Sequence, residues 1–405
     1  MSFEQIGQSA VKRLWRQKRL FTLPSVELGS GRGAAKMREV RTAIVSDLHL
    51  GSFSKIDLLR NRRVLERLLP ALEGADQLVV LGDVLELRES SRADAVRAAA
   101  PVLAELGDAL GGGRVVLVPG NHDYRLAAPL LRRVPRPLAL EQRMTPAPSD
   151  PLGPLAASLG STELVLAYPG IWVRPDVYAT HGHYMDYHAS VPTFECLAVG
   201  VAKRLSEPPA GARFTVDEYE AALAPVYATI DRLVSRSAGA ARREALGSSP
   251  TLRLWERLTA GDNGDGKRRA AQLVAQAVVP PALAAVNRAG LGSFSPDLSG
   301  AELRRAALRA AHAFVARLAI DADHVVFGHT HRAGPTADDD RDEWRAVDGP
   351  ALTNCGSWAY QPAFLTATPG ESPWWPGTLV LLEGGEPPRV ESLLADMTHE
   401  ELRPE

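Results

Sequence analysis

The stretch SDLHLG at residues 46–51 follows Thr42-Ala43-Ile44-Val45, a run with the composition of a buried strand. Asp47 and His49 stand where that strand should run out. Two residues apart on an extended backbone, their side chains can project to the same side. Both can ligate a metal. Taken alone, the pair is equally what a turn residue and a surface histidine look like, so the rest of the chain has to decide.

Reading outward, EVRTAIVSD predicts a first strand, and residues 57–73 place Leu58, Leu59, Val64, Leu65, Leu68 and Leu69 at helical spacing. QLVVLGD predicts a second strand, 91–110 a second helix and RVVLVPG a third strand. This alternation, at these lengths, is that of an α/β core. Open α/β sheets place their chemistry at the carboxyl ends of strands. Here those ends read Asp47-Leu48-His49, Gly82-Asp83 and Gly120-Asn121-His122-Asp123.

TPAPSDPLGPLAASLG (145–160) reads as a loop. ELVLAYPG and IWVRPDVYATHGH read as two shorter strands, the second ending at His181. From about 214 to 317 only helical segments are expected, around 216–235, 251–259, 268–281 and 299–318. The strand pattern resumes at HVVFGHTHR (324–332), followed by TADDDRDE (336–343), which is acidic and expected to be exposed. GPALTNCGSW, GTLVLLEGG and PRVESLLAD read as antiparallel strands. The organisation is then a basic N-terminal extension (1–38), a core (39–190 and 318–397), a helical insertion or lid (191–317) and a tail (398–405).

The chain of 405 residues is 45% hydrophobic and 23% charged, an ordinary globular mixture. A net charge of -2 argues against a generally basic nucleic-acid binder. Cys196 and Cys355 are far apart and demand no disulfide, which suits free thiols in a cytoplasmic chain. No stretch reaches the roughly 18 apolar residues of a membrane span, and the start does not read as a signal peptide. It does interleave Lys12, Arg13, Arg16, Lys18 and Arg19 with Leu14, Trp15, Leu20 and Phe21. Such a segment can rest peripherally on an anionic membrane surface, dock on its own domain or fray. Oligomeric state is not legible.

Asp47, His49, Asp83, Asn121, His181, His329 and His331 all lie at or just past predicted strand ends. The set mixes carboxylate, amide and imidazole and has no sulfur, unlike a structural Cys-type zinc site. It suits two divalent ions, Mn or Fe first, with Zn and Co also admitted. Seven ligands are too many for one tetrahedral ion and suit two ions sharing a bridging carboxylate, an arrangement that can clamp both oxygens of a phosphoryl transfer. His122 is placed as a general acid or transition-state donor, with Asp123 orienting its ring. Arg125, His183 and His188 lie near enough in sequence to touch substrate, and fold support for His183 and a solvent-facing or structural role for the other two fit the sequence as well.

DLH (47–49), GD (82–83), GNHD (120–123), HGH (181–183) and GHTH (328–331), in that order, resemble the calcineurin-like metallophosphoesterases, as does NCGSW at 354–358. The resemblance covers about 40–190 and 318–395. It implies a four-layer α/β/β/α sandwich, α/β in class. It also implies that Asp47, His49 and His331 hold one metal, that Asp83 bridges, and that Asn121, His181 and His329 hold the other. A bridging hydroxide would attack phosphorus in line, with His122 near the leaving or a non-bridging oxygen.

SDLHLG and the insertion also look like the branch containing UDP-2,3-diacylglucosamine pyrophosphohydrolases, whose helical lid accepts lipid. Two departures separate the chain from that branch: it has His122 where Arg is common, and His183 where Asp follows HG. The expected activity is hydrolysis of a phosphomonoester, phosphodiester or pyrophosphate. The substrate is either a phosphorylated small molecule or an amphiphilic, lipid-linked one. A protein phosphatase, a nuclease and a non-catalytic metal-stabilised scaffold are the alternatives, and no basic, aromatic track supports nucleic acid.

Overall fold

Ten of the eleven strands among the described residues form one hydrogen-bonded path, and the eleventh pairs with a strand on that path. The computed structural model describes residues 40–188, 213–241, 288, 300–346 and 348–403. The basic extension, Cys196 and the expected helices at 251–259 and 268–281 lie outside the described residues. Residues 1–38 and 39–405 are separate units.

The strands are β1 (Arg41–Val45), β2 (Gln77–Leu81), β3 (Arg114–Val118), β4 (Glu141–Met144), β5 (Glu163–Arg174) and β6 (Val177–Thr180). After these come β7 (His324–Phe327), β8 (Ala333–Gly334), β9 (Ala351–Cys355), β10 (Thr378–Glu383) and β11 (Arg389–Ser392). The path runs β11-β10-β1-β2-β3-β5-β6-β7-β9-β8, with β4 paired to β5 off it. β1, β2, β3 and the first part of β5 are parallel neighbours. β6, β7 and β9 form a second parallel set. The hinge is β5. Its Glu163–Leu166 stretch pairs with β3, and Gly170–Arg174 pairs with β6. ELVLAYPG and IWV, expected as separate strands, are therefore one strand that passes from the first sheet into the second.

The strands are buried on both faces, and successive residues alternate between two apolar clusters with the two-residue period of a strand. Ile44, Val79, Leu81, Val116 and Val118 from one sheet and Ala179, Val326 and Cys355 from the other form a single apolar cluster, which makes the sheets face each other. The intervening residues, Ala43, Val45, Leu78, Val80, Val115 and Leu117, join the larger core shared with the helices. On that outer face lie α1 (Arg62–Leu72) and α2 (Arg92–Leu110). Asn61 caps α1 and Ser91 caps α2 by accepting from backbone N–H groups of their first turns. The second sheet's outer residues Tyr178, Val325 and Phe327 share that core with Leu308, Phe314 and Val315 of a helix at Gly300–Leu318. The result is the four-layer α/β/β/α sandwich.

Local expectations differ in four places. Residues Gly153–Ser158 form a short helix inside the expected loop. β9 runs parallel to β7, so only its partner β8 is antiparallel to it. In the acidic stretch, Asp339 is buried because Arg332 clamps it through two nitrogens, at 3.0 and 2.7 Å. β1 ends at Val45, so Asp47 and His49 do not sit on extended backbone. Their φ values are 56° and 46°.

Candidate metal centre

Asp47, His49, Asp83, His329 and His331 all adopt left-handed backbone, with φ from 46° to 67°. Non-glycine residues avoid this region, at a cost of about 1–3 kcal/mol each. The sharp turns re-aim each side chain toward the edge where the strands end. Glycines let the turns approach. A Cβ on Gly120 would lie 2.2 Å from Asp83 Oδ1 and 2.7 Å from His181 Nε2. One on Gly328 would lie 2.0 Å from Ser46 Oγ.

The side chains converge in two groups. In the first, His331 Nε2 is 3.1 Å from Asp47 Oδ1 and 3.3 Å from His49 Nε2. His49 Nδ1 faces Glu86 Oε2 at 2.9 Å, and His331 Nδ1 faces Gln361 Oε1 at 3.1 Å. Each Nδ1 meets an acceptor and carries the hydrogen, so both Nε2 lone pairs point at each other and at Asp47. Asp47 Oδ1 is buried with no hydrogen-bond partner among the described residues.

The second group repeats the logic. His181 Nδ1 donates to Leu81 O at 2.8 Å, leaving Nε2 3.1 Å from Asn121 Oδ1 and 3.5 Å from Asp83 Oδ2. His329 gives Nε2 to Asp186 Oδ1 at 2.8 Å, which leaves its Nδ1 as the free donor atom. Acceptors facing acceptors in a buried place require protons or a cation between them. Asp47/His49/His331 and Asp47/Asp83/His181 each present ligand atoms within 4.8 Å of one another.

Electrostatics say the same. Burial pushes Asp47 up, but the His331 and His181 charges outweigh it and hold the carboxyl at about 2. Asp83 lies well below the usual range: burial opposes this, and His181 and His122 overcome it. Burial alone would lower His49 and His181. The hydrogen bond and charge of Glu86 push His49 up to about 9, and the Asp83 and Asp47 charges push His181 up to about 10. A cation would replace those protons.

A family model described as calcineurin-like phosphoesterase matches residues 40–209. Over that stretch, somewhat under half of its length, the chain resembles the calcineurin-like phosphoesterases. Its class is that of a metal-dependent phosphoester hydrolase. The matched stretch holds Asp47, His49, Asp83, Asn121, His122 and His181, and the fold adds His329 and His331 from beyond it. No curated protein matches the chain. Among solved structures, a crystal structure of a dimetal phosphatase from Danio rerio has 14% identity and a TM-score of 0.29, covering 87% of this chain and 99% of that one. That likeness is too slight to bear on mechanism.

Beside the phosphoesterase's two ligand groups stands His122, half-buried. Its backbone N–H donates to Asp83 Oδ1 at 2.8 Å. Its ring is oriented by Glu86, whose Oε2 accepts from Nδ1 at 2.7 Å, and not by Asp123 as expected. Asp123 is committed to the backbone: it accepts from Gly120 N at 2.7 Å, Val84 N at 2.7 Å and Leu85 N at 3.3 Å, which ties two strand-end turns together. Burial and the Asp83 charge raise its carboxyl to about 6.

The expected substrate contacts also change. Arg125 is exposed on the turn after Asp123, and the guanidinium set beside His122 is that of buried Arg88, 3.2 Å from Nε2. His183 is buried. It stacks on Tyr168 and bonds that hydroxyl at 3.1 Å, and burial with the nearby His181 charge holds its pKa well below the usual range. Its ring is packed within the fold, on Tyr168. His188 is half-buried against the Tyr219 hydroxyl.

Glu86, Arg88, Asp186 and Gln361 were not singled out in the sequence. Glu86 had a local signal, a carboxylate three residues past Asp83. NCGSW has a structural role. Asn354 Nδ2 donates to Thr330 Oγ1 at 2.7 Å, and Trp358 N donates to Asp47 O at 3.1 Å, so the segment braces two ligand turns.

Proposed function

We infer that the phosphoesterase binds two divalent cations in these groups and hydrolyses a phosphomonoester, phosphodiester or pyrophosphate bond. The observation that carries this reading is the pair of acceptor-only clusters joined through Asp47 and Asp83. The donor set is oxygen and nitrogen throughout and suits Mn or Fe. Cations held there supply Lewis-acid charge and acidify water.

The chain's own residues do the rest. Asp83 is shared: Oδ1 accepts from His122 N while Oδ2 faces His181. Glu86 buttresses His49 with the same oxygen that holds His122, so ligand and acid–base group are set by one carboxylate. With Nδ1–H on Glu86, His122 Nε2 accepts from Arg88 Nη1 at 3.2 Å, and it would exchange a proton with a phosphoryl or leaving oxygen once a substrate displaces that contact. Arg88, buried next to it, offers a planar cation to non-bridging oxygens.

The substrate is a phosphorylated small molecule or an amphiphilic, lipid-linked phosphoester. The helical segments between the HGH and GHTH motifs favour a restricted site over an open protein-phosphatase cleft. The test is turnover of aryl phosphomonoesters, aryl phosphodiesters and a detergent-dispersed pyrophosphate lipid by chelator-stripped protein reloaded with Mn, Fe, Zn or Co. Hydrolysis restored by metal supports the reading, and the preferred ester names the substrate class. Two bound ions with no turnover of any ester would favour the scaffold alternative.

A further inference from the structure

We propose that the helix α3 (Val216–Ala241) is a positioning element for the second cation, acting through Tyr227, Asp186 and His329. The relay rests on the dimetal reading above. Asp186 lies on the 3-10 turn His183–Tyr187, directly after the HGH motif. Its Oδ1 meets His329 Nε2 at 2.8 Å, and its Oδ2 accepts from Tyr227 OH at 3.0 Å. The same hydroxyl reaches His183 O at 2.9 Å, so it is shared between the carboxylate and the turn that carries it. Tyr227 is fully buried.

The helix is anchored next to this contact by Glu220, which is also buried. Glu220 accepts the hydroxyls of Tyr124 and Tyr168, each at 2.6 Å, and that of Tyr184. Tyr124 directly follows the GNHD motif and Tyr184 directly follows HGH. A buried carboxylate with three hydroxyl donors is a well-satisfied anchor. The helix thus holds the two loops that present Asn121 and His181, and through Asp186 it sets the ring that presents His329.

Partners that orient a ligating histidine typically change metal affinity about 10–100-fold when removed. A group one bond further out should matter less. The probe is Mn(II), titrated calorimetrically into chelator-stripped full-length protein. Wild type is expected to bind in two steps. Asp186→Asn should weaken one step about 10–100-fold and leave the other in place. Tyr227→Phe should weaken that same step about 3–10-fold, a smaller loss consistent with its remoter place. In the Asp186→Asn background it should add nothing, because coupled groups are not additive. Tyr219→Phe, on the same helix but bonded to His188, should lower melting temperature without selecting a step.

Equal weakening of both steps by Tyr227→Phe, no weakening, or full additivity with Asp186→Asn overturns the relay. So does a wild type that takes up no Mn(II). Should Tyr227→Phe not fold, Asp186→Asn still decides: an unselective loss refutes the assignment. Intact selective steps without turnover of any phosphoester would refute the hydrolase reading and leave the relay standing. Unchanged steps in both variants of an active enzyme would refute the relay alone.

Discussion

The two ligand groups are supported differently. The first, Asp47, His49 and His331, takes its ring partners, Glu86 and Gln361, from turns on the sandwich itself. The second, Asp83, Asn121, His181 and His329, takes one from Leu81 O and the other from Asp186, which leans on a helix of the inserted segment. One pocket is self-contained, and the other depends on a segment added between motifs. On the proposed relay, the insertion would set metal occupancy without contributing a ligand.

The contrast can be broken most severely where the pockets share atoms. Gly120→Ala drives a Cβ onto Asp83 Oδ1 and His181 Nε2. Turnover should fall on the order of 10³-fold, the several kcal/mol of charge stabilisation a metal pair supplies. Steady-state kinetics with metal analysis checks it, and retention of two ions with full activity would contradict the geometry. Next, Glu86→Gln should weaken the first pocket about 10–100-fold in metal affinity while sparing the second. It should also lower kcat through His122, so titration and rate must both move.

The pH dependence is smaller and has a definite sign. In the ion-free protein His49 and His181, raised to about 9 and about 10, are protonated at neutral pH. Cations must expel those protons, so affinity should rise with pH until about 9–10. Calorimetry in two buffers of different ionisation enthalpy should show net proton release. Because both folded pKa values lie above the ordinary 6.5, their contribution to ion-free stability is fully present below 6.5 and lost as pH rises through 9 and then 10. A melting temperature of stripped protein that increases over that range would contradict this. The smallest effect tests separation from the apolar seam. Ile44→Val, between the sheets, should cost about 1 kcal/mol of stability and leave turnover unchanged.

Much of the site was legible because each motif is local. Asp47 and His49, Asp83, Asn121 and His122 are each carried by a few residues at a strand end, where backbone runs out of the sheet and polar side chains are tolerated. The buttresses were less legible. Glu86, Arg88, Asp186 and Gln361 are ordinary polar residues whose partners lie far off in sequence, as with Gln361 on His331. Asp123 shows the converse: adjacency to His122 suggested a ring partner, but its carboxylate satisfies backbone donors that a sequence does not display.

From the sequence alone came the α/β alternation, the candidate ligand residues and the chemistry they suit, since hydrophobic period and donor type are properties of short segments. Only the tertiary structure decided that β5 runs through two sheets, that Asp47 and His49 turn left-handed, that Glu86 serves two histidines, and that an inserted helix reaches His329 through Asp186. The physical reason is that a buried polar atom takes whichever partner the packed fold brings within about 3 Å, whatever their separation along the chain.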